Sequence, residues 1–249
     1  MINKKKPFFS IITVVFNGES VLEKTIKSVL SQTFKDFEYI VIDGASTDGT
    51  LNIIKRYDKK ISKWKSEKDK GIYDAFNKGM KISNGEFICI VNSNDILKKN
   101  ALKMIHSYLI KYPKLDFIFG SVRKHWGVVH GYKPEKIKYS WGVYSSHSTG
   151  FFLRRTSAKK IGLYNIKYKY HADYDYLYRM IVHKKMKGMS TKKSQITGVF
   201  ASGGFSSTIP YRKLFFEELK IRLGNNQSIL LIGMIAIYKF FKHFNKIIK

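Results

Sequence analysis

Three stretches of the chain are apolar almost without interruption, Phe8 to Phe16, Phe37 to Ile42 and Phe87 to Val91, and each ends abruptly in polar residues. Runs of this length, rich in Val, Ile and Phe, predict strands buried on both faces of a sheet. Asn17-Gly18 closes the first, Asp43-Gly44 the second, and Asn94 and Asp95 follow the third. Between them the period becomes helical. Val21, Leu22, Thr25, Ile26, Val29 and Leu30 share a face behind a Ser20 placed to cap it, and Leu51, Ile53 and Ile54 open a short helix after the turn at Ser46 to Gly49. Ile61 to Ser66 is a further strand candidate, and a loop at Gly71 leads into a helix from about Ile72 to Ile82. Crossovers of a dozen or more residues force parallel pairing, hence a doubly wound α/β sheet. Asn17, Asp43 and Asp95 then emerge on one rim, where open α/β sheets collect their ligands.

Farther along, Ala101 to Lys111 is helical by pattern and Phe117 to Val122 reads as a strand. From Arg123 to Ser148 the periodicity fades while Gly, Tyr, Trp and His accumulate, which suits an acceptor-side loop region. A short strand is expected at Gly150 to Arg154 and a helix at Ala172 to Val182, and Ser202 to Ser207 has the composition of a flexible lid. The chain therefore divides into an α/β domain, about 1–210, whose pattern changes character near residues 122–123, and a tail at 211–249. In the tail, SILLIGMIAIY precedes Lys239, Lys242, Lys246 and Lys249, interleaved with Phe240, Phe241 and Phe244. The apolar part falls short of the roughly 18 to 20 residues that span a bilayer. It reads as an interfacial anchor with lysines toward anionic headgroups, or as a helix packed on its own domain or a second copy.

The net charge of +28, with 46 Lys+Arg against 18 Asp+Glu, directs the chain toward a polyanion, an anionic membrane surface or a phosphorylated substrate, unless the lysines only solvate helix faces. The single cysteine, Cys89, lies inside FICIV and reads as a core residue, so disulfides and thiolate metal sites are excluded. The basic N-terminus lacks the apolar core of a signal peptide, which places the expected site of action in the cytoplasm or on the membrane facing it. No HExxH, GxGxxG or GxxxxGK[ST] is present.

Asp95 is placed either to hold a hard divalent cation together with phosphate oxygens or to cap a helix beginning near Ile96 or Leu97. Asp43 could accept hydrogen bonds from a nucleobase or ribose, or simply form a turn before Gly44. Lys68, Lys70 and the backbone at Gly71 could meet a diphosphate or stay solvated. Asp173 and Asp175 stand at i and i+2, so they point to different faces of a helix; Asp175 can pair with Arg179, leaving Asp173 to face a cleft, unless both only favour the helix start. His147 precedes a strand near the acceptor region and is a candidate contact to metal or substrate.

Taken together, FSIITVVFNGESVLEKTIKSVLSQTFKDFEYIVIDGASTDGT, SEKDKGIYDAFNKG, GEFICIVNSND and HADYDYLYRM resemble the inverting family-2 glycosyltransferases, over roughly residues 8 to 205. The ordered set is specific where each motif alone is weak. The resemblance implies a GT-A, Rossmann-like fold, with a mixed, mostly parallel sheet flanked by helices. It implies a nucleotide-sugar donor, commonly a uridine diphosphate sugar, met by Thr13, Phe16, Asn17, Glu19 and Asp43 at the base and ribose and by Lys70, Gly71 and Asp74 beside the diphosphate. VNSND matches a motif that usually ends in two aspartates; here Asn94 replaces the first, leaving ribose hydrogen bonding and Asp95 as ligand of Mg2+ or Mn2+. ADYD puts the catalytic base on Asp173. The expected activity is transfer to a saccharide or lipid-linked acceptor in surface polysaccharide or glycolipid assembly, peripheral on the inner membrane face and without nucleic acid. The alternatives are a basic nucleic-acid or polyanion-binding protein and a sugar-phosphate nucleotidyltransferase.

Overall fold

The computed structural model describes residues 6–139, 148–201 and 209–248, so His147 and the expected lid at Ser202 to Ser207 lie outside the described residues. The first half runs β1 (Phe9–Val15), α1 (Leu22–Leu30), β2 (Phe37–Asp43), α2 (Thr50–Arg56), β3 (Lys63–Ser66), α3 (Ile72–Ile82) and β4 (Phe87–Ile90). There follow β5 (Ile96–Leu97), α4 (Ala101–Lys111), β6 (Phe117–Phe119), β7 (Ser121–Lys124), β8 (Gly127–Val129), β9 (Phe151–Arg154), α5 (Arg155–Ile161) and α6 (Ala172–Tyr178). The chain continues through β10 (Gly188–Ser190), β11 (Ile196–Val199), α7 (Tyr211–Gly224), α8 (Ile229–Lys242) and α9 (Phe244–Ile248).

The main sheet has seven strands in the order β10-β6-β9-β4-β1-β2-β3. All neighbours are parallel except β9, which runs antiparallel between β4 and β6. The sheet is thus mixed and mostly parallel, as expected. A smaller sheet, β5-β11-β7-β8, lies beyond it. Period-two alternation sends Ile12 and Val14 of β1 into the core under α3 and α6, while Phe9, Ile11 and Val15 join the core under α1 and α4. Both faces are dry, which is why the first strands read as unbroken apolar runs.

Register then fixes the rim. Val15 stands opposite Asp43 and Asp43 opposite Ser66, while Ile12 stands opposite Ile90, so the loops after β1, β2, β3 and β4 leave the same edge of the sheet.

Several local expectations need correcting. Ser20 does not cap α1; Val21 occupies that position without a side-chain bond, and the Gly18 carbonyl accepts from the amides of Val21 and Leu22. No helix starts after Asp95, because Ile96 and Leu97 pair with β11 and α4 begins only at Ala101. The single strand expected at Phe117 to Val122 is two strands in two sheets. At Gly120 the backbone passes so close to Thr197 that a Cβ would sit 2.1 Å from its methyl carbon. The expected helix to Val182 changes at Arg179–His183 into a π turn, a wider winding that places residues by five-residue rather than four-residue spacing.

Of the C-terminal helices, α7 packs on the body and α8 packs on α7. Arg222 of α7 is fully buried, bonded to Glu218 Oε1 at 2.8 Å and to the Lys138 carbonyl at 2.8 Å, and it lies over the Tyr174 ring. Lys239 of α8 reaches Glu218 Oε2 at 2.5 Å.

Candidate active site

A cavity of about 760 Å³ opens at the carboxyl rim of the main sheet. Its walls come from the turn after β1, the start of α3, the turn after β4, the end of β7 and the start of α6. Phe16, Asn17, Gly71, Asn94, Asp95 and Asp173 all border it, although they are distant in sequence.

The loops after β1 and β2 are locked together by their side chains. Asn17 has φ 48°, a left-handed conformation that Asn tolerates better than most residues. Its amide donates to Ser46 Oγ at 2.8 Å, and its Oδ1 accepts from the Thr47 amide at 2.9 Å. Glu19 accepts from the Gly49 amide at 3.0 Å. The Phe16 ring stands 62% exposed above this frame, a flat apolar face on which a base can stack.

Thr13, Glu19, Asp43, Lys70 and Asp74 do not border the cavity. Thr13 is buried in the sheet, where its hydroxyl accepts from Tyr39 at 3.0 Å. The Asp43 carboxylate is inaccessible and consumed by Ser46 and by Ser66, whose hydroxyl donates at 2.6 Å, so it forms the turn that its sequence context also allowed. Asp74 accepts from the Lys70 amide at 3.1 Å and pairs with Lys78 at 3.6 Å, while the Lys70 side chain is exposed. Asp69, not foreseen from sequence, takes the place beside Gly71, accepting its amide at 2.9 Å and bordering the cavity.

Asp95 does not present the solvent-accessible carboxylate that a polar turn after a buried strand predicts. It is only 2% exposed, because Thr149 donates to Oδ2 at 2.7 Å and the Ala201 amide to Oδ1 at 3.3 Å. Its amide bonds the Asn92 carbonyl at 3.0 Å across a tight turn in which Asn94 has φ 81°. Asn92 donates to Ser148 Oγ at 3.1 Å, while its buried Oδ1 has no hydrogen-bond partner among the described residues. Among the described residues no three His, Cys, Asp or Glu side chains cluster as a metal cage. The donor set still fits Mg2+ or Mn2+, since such ions take one or two protein oxygens plus substrate phosphates, and Asp95 with the unmatched Asn92 Oδ1 supplies that type of ligand.

Asp173, in the first turn of α6, borders the same cavity. Its Oδ1 accepts from the Tyr174 amide at 2.9 Å and lies 3.2 Å from the Tyr73 hydroxyl, which is also 2.9 Å from the Tyr170 carbonyl. Asp175 points the other way, as its spacing predicted, bonding Arg179 at 2.9 Å and accepting from Asn225 at 2.9 Å. Burial pushes the neighbouring His171 below the usual histidine range against the opposing pull of Asp173, Glu218 and Glu217.

Lys124 was not singled out by sequence. It ends β7, borders the cavity and rests its ammonium 4.6 Å from the Phe200 ring centre. Burial pulls its pKa down, while the fields of Asp95 and Asp173 both hold it up, so the cation senses both carboxylates. Cys89 is buried and its thiol is pushed far up by burial and by Asp95, in keeping with a core role.

Comparison with known proteins gives this arrangement a context. The model described as Glycosyl transferase family 2 matches residues 10–194. A PGL/p-HBAD biosynthesis glycosyltransferase of Mycobacterium tuberculosis is 28% identical over 241 residues, covering 91% of this chain and 90% of that protein. A putative teichuronic acid biosynthesis glycosyltransferase, TuaG of Bacillus subtilis, is 35% identical over 101 residues, 39% of this chain and 40% of that protein. Among solved structures, residues 1–349 of Staphylococcus aureus TarS in complex with UDP share the fold with a TM-score of 0.69 at 18% identity, covering 95% of this chain and 72% of that one.

Proposed function

This chain belongs to glycosyl transferase family 2, and from that premise we propose that it is an inverting enzyme moving a sugar from a uridine diphosphate sugar to a saccharide or lipid-linked acceptor in cell-surface polysaccharide or glycolipid synthesis. The carrying observation is that Asp95, Asp173 and Lys124 border one cavity at the carboxyl rim of the sheet. The UDP bound by TarS supports the choice of nucleotide, and the name of TuaG supports the kind of pathway. A family match of this kind does not favour a nucleic-acid-binding protein or a nucleotidyltransferase.

Phe16 stacks on the base and Asn17 meets the ribose side of the donor, while Gly71, Asp69 and Asn94 line the diphosphate and sugar. Asp173 accepts the proton of the acceptor hydroxyl as that oxygen attacks the anomeric carbon from the face opposite the diphosphate. The bond to the diphosphate breaks in the same displacement, so the configuration inverts and nucleoside diphosphate leaves. Tyr73 holds the Asp173 carboxylate in place through its hydroxyl. Lys124 balances charge growing on the leaving group. Asp95 and Asn92 would hold Mg2+ or Mn2+, which when bound neutralises the same diphosphate.

No helix among the described residues is long and apolar enough to cross a membrane. The surface of α8 and α9 nevertheless exposes Ile229, Leu230, Ile237 and Phe241 alongside Lys242 and Lys246. That combination suits peripheral attachment to an anionic membrane, on the cytoplasmic face where nucleotide-sugars are made.

A donor screen that follows nucleoside diphosphate release, with and without manganese, tests the assignment. One uridine diphosphate sugar should be turned over above all other donors and faster with the metal. Release from none of them contradicts the assignment.

A further inference from the structure

Beside the catalytic cavity lies a second concavity of about 410 Å³, between the loop that precedes α6 and the face of α7. Arg212, Phe216 and Lys220 follow one another at four-residue spacing, which stacks them along one side of that helix. Lys213 flanks them, and Lys167 faces them from the loop. Among the described residues none of these four cations makes an ion pair or a side-chain hydrogen bond.

The carboxylate in the groove does not cancel them. Glu217 accepts the amides of Lys169, Tyr170 and His171, each at 2.7 Å, so it serves to pin the loop against α7. Four cations surround one occupied carboxylate, leaving three positive charges in excess in a concave site. Flat rings from Tyr168 and the exposed Phe216 complete the lining. Solvated lysines on a convex helix face would need no further account, but a concave cluster focuses its field on whatever enters.

The groove also adjoins the reaction centre. Tyr170 borders both concavities, and its carbonyl lies 2.9 Å from the same Tyr73 hydroxyl that reaches Asp173. Tyr170 thus ties the groove to the residue that reaches Asp173.

We propose that the groove of Lys167, Arg212, Lys213 and Lys220 is an acceptor subsite that binds a phosphate group, either the diphosphate of a lipid-linked saccharide or a phosphodiester in a polymer. The proposal rests on the transferase reading and adds the acceptor's chemical class to it.

The test uses the full chain saturated with UDP, so that the donor site is filled, titrated calorimetrically with inorganic pyrophosphate. A second binding event should remain, and Lys213→Gln with Lys220→Gln should weaken it about tenfold while UDP affinity stays unchanged. Parallel titrations with geranyl diphosphate and with a glycerophosphate diester identify the source: preference for the first assigns a lipid-linked acceptor, preference for the second a polymer. The proposal is overturned if pyrophosphate no longer binds in the presence of UDP, or if the double variant binds it as tightly as the parent. Loss of UDP binding in the parent would instead strike at the transferase reading itself.

Discussion

Lys124 is one of 46 basic residues, and its place in the site comes from long-range pairing rather than from any neighbour in sequence. It reaches the cavity because β7 leaves the main sheet and joins β11 and β8. Lys124→Met should lower kcat by about 10²-fold, the typical cost of one charge-stabilising donor, with little change in the KM for the intact donor, which lacks the extra charge of the leaving group. Lys124→Arg should recover part of the loss. The ammonium is the active form, and burial lowers its pKa against the fields of Asp95 and Asp173. Activity should therefore fall, as pH rises, below the ordinary lysine range. Arginine at this position stays charged and should move that alkaline limb upward in a kcat profile. The aspartates behaved differently toward sequence reasoning. Asp173 could be separated from Asp175 by helical spacing and the Arg179 partner, whereas the burial of Asp95 could not be foreseen, because Thr149 and Ala201 close over it from later in the chain.

Secondary elements show the same division. β1, β2 and β4 were legible because each is buried on both faces by its own apolar run. β5 was not, since two residues carry no period and its existence depends on pairing with β11. The crossing at Gly120 was hidden for a related reason: a glycine in an apolar run does not reveal which side chain will press against it. Thr197 is buried and donates to the Ser121 carbonyl at 3.0 Å, so it cannot swing aside from a new methyl group 2.1 Å away. Gly120→Ala should cost about 1 to 3 kcal/mol through overpacking, read as a lower urea midpoint with an unchanged slope.

At the scale of the whole molecule, a +28 charge and an exposed apolar helical surface belong to one proposed task, holding the cavity near an anionic membrane. Ile229 and Phe241 are 80% and 75% exposed, so replacing both with serine should leave thermal unfolding unchanged. Each lost insertion forfeits roughly 1.5 to 3 kcal/mol at most, and binding to phosphatidylglycerol vesicles should drop at least tenfold. The tail was legible as apolar and basic, but the burial of Arg222 against the Lys138 carbonyl and the Tyr174 ring was not, because it needs the folded body as partner, nor was the ion pair from Lys239 to Glu218, which needs α8 to fold back on α7. The central claim concerns two carboxylates brought to one cavity from distant parts of the chain, with different tasks. It is tested most directly by measuring UDP affinity and donor turnover together in Asp173→Asn. UDP should bind as to the parent, with turnover reduced by about 10³-fold or more, within the range for loss of a general base. Turnover near the parental rate in a folded, UDP-binding Asp173→Asn protein would contradict the account.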